Sequence, residues 1–346
     1  MNNIDLRSLE IEELEDVFMN LGEKKYRANQ AFKWMHNKMA SSIDDITELP
    51  RGLRDKLNIN YRVTKLKIAE RLDSEQDDTS KYLFVLDDGN IIESVMMKHK
   101  HGVSVCLSTQ IGCRMGCKFC ASTKGGLVRH LLPGEILEQF YQIQKDQGIN
   151  INNVVLMGSG EPLDNYDNVM KFIKILHHKD GQNLGYRHTT ISTCGLVPRI
   201  FDLADEGIPI NLSISLHSPY DDERKKIMPI AKKYSIHEII EACNYYIAKT
   251  SRRVTFEYTL INGVNDKPKD ALEVAKLLKS MLSHVNLIPL NNIKEFSHTK
   301  SNDKSIQGFK DILIKNGVNT TIRREMGADV NAACGQLRRD YINGEG

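Results

Sequence analysis

The residues best suited to chemistry in this 346-residue chain are its cysteines. Four of the seven, Cys106, Cys113, Cys117 and Cys120, fall within fifteen positions, and Cys194, Cys243 and Cys334 lie apart. The run Cys113-Arg-Met-Gly-Cys117-Lys-Phe-Cys120 has the spacing C-x3-C-x2-C. Three thiolates that close together can take three corners of a cube and ligate three irons of a [4Fe–4S] cluster, leaving the fourth iron open to another ligand. Zinc is the alternative. Structural zinc takes four ligands, commonly as two separated C-x2-C knuckles, and no second pair exists here. Zinc is the minority reading.

The elements around the cluster follow a legible order. Over 24–39 the apolar set Ala28, Ala31, Phe32, Met35 and Met39 keeps the rhythm of a helix packed on one face, and a second helix starts near Pro50. From about 65 to 108 the pattern is β, with two strand-like runs either side of Asp88-Gly89, a hairpin signal. A first barrel strand is expected at 103–108, with the three cysteines in the loop after it. Helices at 133–147, 166–178, 235–249, 268–282 and 304–316 then alternate with strands at 153–157, 188–192, 210–216, 254–260, 285–290 and near 319–323. Such alternation means βαβ units and a parallel sheet. The expected fold is α/β: an open or nearly closed partial (β/α) barrel over 99–346, a helical accessory domain over 1–60 and a β extension over 61–98.

Composition narrows the class without naming it. Hydrophobic residues at 40% and charged residues at 27% are ordinary globular usage, which sets aside disordered and collagen-like chains. The net charge of +2 neither announces nor forbids a nucleic-acid partner, because a local patch can hide in a neutral total. The first twenty residues carry acids where a secretion signal needs a basic start. No apolar run approaches the ~18 residues of a membrane span. A cytoplasmic protein with reduced thiols and no membrane association is the expectation.

Further motifs follow the cysteine loop in order: Gly158-Ser-Gly-Glu-Pro-Leu163, Ile191-Ser-Thr-Cys-Gly195, Ser215-Leu-His-Ser-Pro219 and Asp329-Val-Asn-Ala-Ala-Cys-Gly-Gln-Leu337. With the C-x3-C-x2-C loop they resemble the radical S-adenosylmethionine (SAM) superfamily, and within it the RlmN/Cfr family of RNA adenine methyltransferases. The likeness runs from the N-terminal helices to the last turn. It implies a radical SAM partial (β/α)6-type barrel, one [4Fe–4S] cluster on Cys113, Cys117 and Cys120, and two SAM molecules per turnover. In the reaction that the resemblance implies, one SAM methylates Cys334. The other is cleaved at the cluster to a 5′-deoxyadenosyl radical that takes hydrogen from the S-methyl group. The resulting methylene radical adds to the base, Cys106 resolves the adduct through a disulfide, and Glu93 takes the ring proton. Gly160, Glu161, Ser192, Ser215, Leu216, His217 and Asn291 are the implied SAM contacts. The family usually has Met where Ser159 stands, and often Pro where Asn292 stands. The implied substrates are adenosines in the peptidyl-transferase centre of 23S rRNA and just 3′ of a tRNA anticodon. The implied partners are those RNAs and an electron donor of the flavodoxin type, with the enzyme itself a monomer. The GEPL run and the stretch from Phe256 to Asn265 look more like the C2-methylating branch than the C8-methylating one.

Each of these residues also has a plainer reading. Cys106 inside an apolar strand would unaided be a buried small hydrophobe, and His217 a strand-end cap. Glu93 on an alternating strand would unaided be a surface acid. Gly158 to Pro162 would be an ordinary β-to-α turn. Cys334, in a turn of small residues, is harder to dismiss. Lys24, Lys25, Arg27, Lys33 and Lys38 around Trp34, and Arg323, Arg324, Arg338 and Arg339 near Cys334, are candidate RNA contacts that a solvated face would equally explain. Cys194 and Cys243 read as structural. A non-catalytic metal- and RNA-binding protein is the reading from a different class.

Overall fold

The computed structural model describes residues 4–100, 102–291, 293 and 296–337, so Asn292, Arg338 and Arg339 lie outside the described residues. Its N-terminal part contains α1 (Ile11–Asn20), α2 (Lys25–His36) and α3 (Arg51–Asn60), tied by a short parallel pair of β1 (Ile4–Asp5) with β2 (Tyr61–Arg62). The apolar residues expected on one face of α2, Ala28, Ala31, Phe32 and Met35, are buried in the main core. That core runs without a break from Leu6 and Phe18 into the barrel helices. The join is also polar. The Arg7 guanidinium is fully buried, paired with Glu138 and bonded to the carbonyls of Ala40 and Thr64, and His36 Nδ1 lies 3.0 Å from the Tyr141 hydroxyl.

The rest is one ten-stranded sheet. Strands β3 (Lys67–Asp73), β4 (Thr79–Val85) and β5 (Ile91–His99) are antiparallel, and β5 pairs antiparallel with β6 (Gly102–Cys106). From β6 onward every pairing is parallel, through β9 (Asn153–Leu156), β10 (Thr189–Thr193), β11 (Asn211–Ser215), β12 (Val254–Leu260), β13 (Ser283–Pro289) and β14 (Thr320–Ile322). Sequence order is spatial order across the sheet, with β3 and β14 at its edges. A separate small ladder joins β7 (Gln110–Gly112) to β8 (Leu127–His130) around the cysteine loop. The expected β extension is therefore continuous with the barrel sheet.

Helices cross back between the parallel strands: α4 (Pro133–Gln147), α5 (Tyr166–His177), α6 (Val197–Asp205), α7 (Asp221–Ile227), α8 (Ile236–Thr250), α9 (Pro268–Leu277) and α10 (Asp303–Lys315). Pro133 opens α4, where its missing N–H costs nothing, and Glu135 accepts from the Leu132 N–H at 2.8 Å. The helix expected over 268–282 stops at Leu277. Ser280 takes a left-handed φ of 68°, and β13 begins at Ser283 because its register pairs Ser283 with Val254. The short helix α7 has no counterpart in the sequence reading. Strand β6 ends at Cys106, two residues before the expected limit, and the chain then turns toward the cysteine loop. No helix among the described residues is long and apolar enough to cross a membrane.

Candidate active site

Open parallel sheets bind ligands beyond the C-terminal ends of their strands, and the candidate residues gather there. A cleft of about 930 Å³ is lined by Cys113, Cys117 and Cys120 from the loop, Gly158, Gly160 and Glu161 after β9, Ser192 on β10 and Ser215 ending β11. His217, Glu257, Asn291, Arg323 and Cys334 complete the wall. Of the implied SAM contacts, only Leu216 does not line it. That side chain is fully buried, and its N–H donates to the Glu257 carbonyl at 3.0 Å.

Two glycines let the loop after β9 lie against the chain leaving β6. A Cβ on Gly158 would meet the Leu107 backbone at 2.7 Å, and one on Gly160, whose φ is +110°, would meet Gln110 at 2.6 Å. Any side chain there would push the loop out of the cleft. Glu161 is buried; its carboxylate accepts from the Cys194 N–H at 2.8 Å and the Leu163 N–H at 3.1 Å. Desolvation still raises its pKa above the ordinary value. Ser159 keeps a backbone role, its N–H bonded to the Ser108 hydroxyl at 2.9 Å.

His217 is more constrained than its sequence context suggests. Its backbone is left-handed at φ 54°, and its Nδ1 accepts from the Thr259 N–H at 2.9 Å. An acceptor nitrogen carries no proton, so in the neutral ring the hydrogen sits on Nε2. Burial, aided by the nearby Arg224 charge, pushes its pKa down to about 3. The ring meets Phe119 edge-on at 4.7 Å between centroids.

The three loop cysteines fit a cluster better as a donor set than as isolated thiols. Cys113 and Cys117 are buried, Cys120 is partly so, and burial raises the pKa of all three, that of Cys113 to about 12. Such thiols stay protonated until a cation takes the place of the proton. Among the described residues, no three His, Cys, Asp or Glu side chains form a group able to hold a single metal ion.

Cys334 also lines a second, mainly apolar cavity of about 1080 Å³, with Val95, Met97, Cys106, Val155, Met326 and Leu337 in its wall. Met157, Ile288, Asn291, Arg323 and Cys334 line both spaces. Cys106 is buried opposite Val95 on β5, and burial pushes its thiol up to about 12, the Cys334 charge adding to the effect. Cys243 is fully buried in the core; Cys194 lies beside Cys117 in a small apolar cluster.

Glu93 lies elsewhere. Its carboxylate is 2.6 Å from Lys81 Nζ, both side chains are nearly buried, and it lines a small separate cavity with Ser122 and Ser159. Arg323, expected near Cys334 as a candidate RNA contact or part of a solvated face, donates from Nη1 to Cys334 Sγ at 3.1 Å and lines both cavities. Two of the N-terminal cations are engaged by neighbours: Lys25 pairs with Glu15 at 2.7 Å, and Lys38 lies 3.6 Å from Glu48 and 3.7 Å from the Trp34 ring centroid. Glu257 and Gln110 were missed. Gln110 offers only a polar residue in the segment after a strand, and Glu257 only an acid in the middle of one, signals that many structural residues share.

Known proteins extend these observations. The family model described as Radical SAM superfamily matches residues 107–275, and that described as Ribosomal RNA large subunit methyltransferase N-terminal domain matches residues 4–63. A probable dual-specificity RNA methyltransferase RlmN of Alkaliphilus oremlandii is 55% identical, over 99% of each chain. One from Clostridioides difficile is 54% identical over 98% of each. A crystal structure of a radical SAM methyltransferase from Sphaerobacter thermophilus superimposes with a TM-score of 0.93 at 41% identity, covering 97% of this chain and 100% of that one. With full-length identity above half and the same fold, the chain belongs to the RlmN family of SAM-dependent RNA methyltransferases in the radical SAM superfamily.

Proposed function

We propose that the chain methylates C2 of an adenosine in the peptidyl-transferase centre of 23S rRNA, and C2 of the adenosine 3′ to the anticodon in tRNA. The observation that carries this reading is the junction of two cavities at Cys334. One cavity holds the three cluster cysteines and the polar strand ends suited to SAM. The other is mainly apolar, large enough to admit a purine, and contains Cys106. A thiol that faces both can receive a methyl group on one side and deliver carbon on the other.

The chemistry demands such a relay. Adenine C2 is electron-poor and no nucleophile, so direct displacement on SAM fails there. A [4Fe–4S] cluster held by Cys113, Cys117 and Cys120 would supply the electron for reductive SAM cleavage. The residues of the chain do the rest. Glu161, Ser192, Ser215, His217 and Asn291 orient SAM, His217 offering an Nε2–H donor. Cys334 accepts the methyl group and carries its carbon to the ring. Cys106 then attacks the Cys334 sulfur, forming a disulfide as the carbon–sulfur bond breaks. Glu93 is the proposed proton acceptor. It shares a strand face with Val95, one rung from the second cavity. The target base must leave its stack to enter.

The test is nucleoside mass spectrometry of 23S rRNA and tRNA from a strain lacking this modification, treated anaerobically with the cluster-loaded protein, SAM and a reductant. 2-Methyladenosine in both RNAs is the expected product. 8-Methyladenosine as the main product would overturn the C2 assignment, and unmodified tRNA would remove the second substrate.

A further inference from the structure

Arg323 occupies the wall between the two cavities. It follows β14, where its N–H donates to the Leu287 carbonyl at 2.8 Å, which fixes where its side chain starts. Nη1 then donates to Cys334 Sγ at 3.1 Å, Nη2 lies 3.5 Å from Met157 Sδ, and the Glu257 carboxylate is 3.9 Å from Nη1. Glu257 is itself oriented by the Asn286 amide at 2.8 Å. The Arg323 side chain is 29% exposed, along the cavities it lines. A planar guanidinium spreads its donors in a fixed fork, so it can serve two separated sulfurs and a carboxylate from one position more readily than the single compact nitrogen of an ammonium.

A neutral thiol accepts only weakly from such a donor, whereas an anionic sulfur accepts strongly. The contact is therefore worth most when Cys334 is charged. We propose that Arg323 is a positioning residue for Cys334, its guanidinium hydrogen bond holding the sulfur at the junction of the cavities where it takes the methyl group. This rests on the reading of Cys334 as methyl carrier. In the step concerned, the Cys334 thiol first gives its proton to solvent. Its electron pair forms the S–CH3 bond while the methyl–sulfonium bond of SAM breaks, that pair staying on the departing S-adenosylhomocysteine. No external oxidant or reductant is needed.

The arrangement also distinguishes the two cysteines. Cys106 is buried and, among the described residues, has no guanidinium hydrogen bond; burial outweighs the pull of the Arg323 charge and keeps it a thiol until the resolving step. Among the described residues, the other charged or titratable groups lining the cavities at Cys334 include Cys106, His99, Arg324 and Glu325 on one side and Cys120, Glu161, His217 and Glu257 on the other.

The test reads the sulfur directly. Cluster-loaded wild type, Arg323→Gln and Arg323→Lys are treated anaerobically with iodoacetamide over a range of pH, and alkylation of the Cys334 peptide is followed by mass spectrometry. Arg323→Gln should slow alkylation roughly tenfold near neutral pH, because the sulfur loses the donor that places it at the junction. Arg323→Lys should recover part of the rate. Iron content and the cluster's visible spectrum report whether each variant is folded. Wild-type alkylation rates in a folded Arg323→Gln protein would overturn the proposal; so would a deficit that Arg323→Lys does not reduce at all. Whether Cys334 carries the methyl group is settled separately by Cys334→Ala on RNA, so the two failures are distinguishable.

Discussion

The side-chain amide of Asn291 donates to the main-chain carbonyl of Cys334 at 2.9 Å. A residue just past β13, expected to touch SAM, thereby holds the turn that carries the thiol shared by both cavities. The Gly335 carbonyl accepts from the Ala121 N–H at 2.7 Å, and the Leu337 carbonyl from the Ser122 hydroxyl at 2.9 Å, so the cluster loop holds the same turn from its other side. The turn that carries Cys334 is thus tied to both β13's end and the cluster loop.

Removing the Asn291 tie should loosen that turn. A hydrogen bond of this kind contributes about 1 kcal/mol, so Asn291→Ala should speed amide exchange at 332–336 by roughly five-fold, read by hydrogen exchange with mass spectrometry. SAM affinity should fall as well. Unchanged exchange would show that the bond does not restrain the turn.

The cluster assignment depends on three residues. Cys113→Ala, Cys117→Ala and Cys120→Ala should each lose iron relative to the about four irons expected of a loaded chain. Each should also make no 5′-deoxyadenosine from SAM. A variant that cleaves SAM at the wild-type rate would remove that cysteine from the ligand set.

The two remaining cysteines should fail at different stages. Cys334→Ala should transfer nothing to RNA. Cys106→Ala should still load Cys334 and bond it to the base, then stall as a covalent protein–RNA complex that survives denaturation. A denaturing gel distinguishes these outcomes. Normal turnover by Cys106→Ala would end the disulfide step.

His217 should make the protein sensitive to acid. Its folded pKa is pushed down to about 3 from an ordinary 6.5. Between those values the unfolded chain binds a proton that the folded chain refuses, so stability is present above pH 6.5 and lost as pH falls toward 3. One such proton is about 1.4 kcal/mol per pH unit. His217→Gln should reduce the pH slope of unfolding free energy between pH 6 and 4 by about that amount, measured in urea titrations. An unchanged slope would mean that the ring is protonated in the folded protein.

The primary sequence by itself determined the parts that depend on local pattern. The spacing of Cys113, Cys117 and Cys120, the glycines and Glu161 after β9, and the strand–helix alternation are short-range features, and all sit at or near their expected places. Even there, the end of α9 depended on where β13 had to meet β12. Tertiary structure alone decided what side chains distant in sequence do to one another. Nothing local to Arg323 distinguishes it from Arg324, yet only packing of β14 beside β13 brings its guanidinium to Cys334. His217 looks like a strand-end cap until the β11–β12 pairing puts the Thr259 N–H against its ring. Glu93, chosen by resemblance, is paired with Lys81 because the β4–β5 register sets them diagonally on one face. Hydrophobic periodicity and ligand spacing are written within one segment; the partner of a charge is set by which segments the sheet makes neighbours.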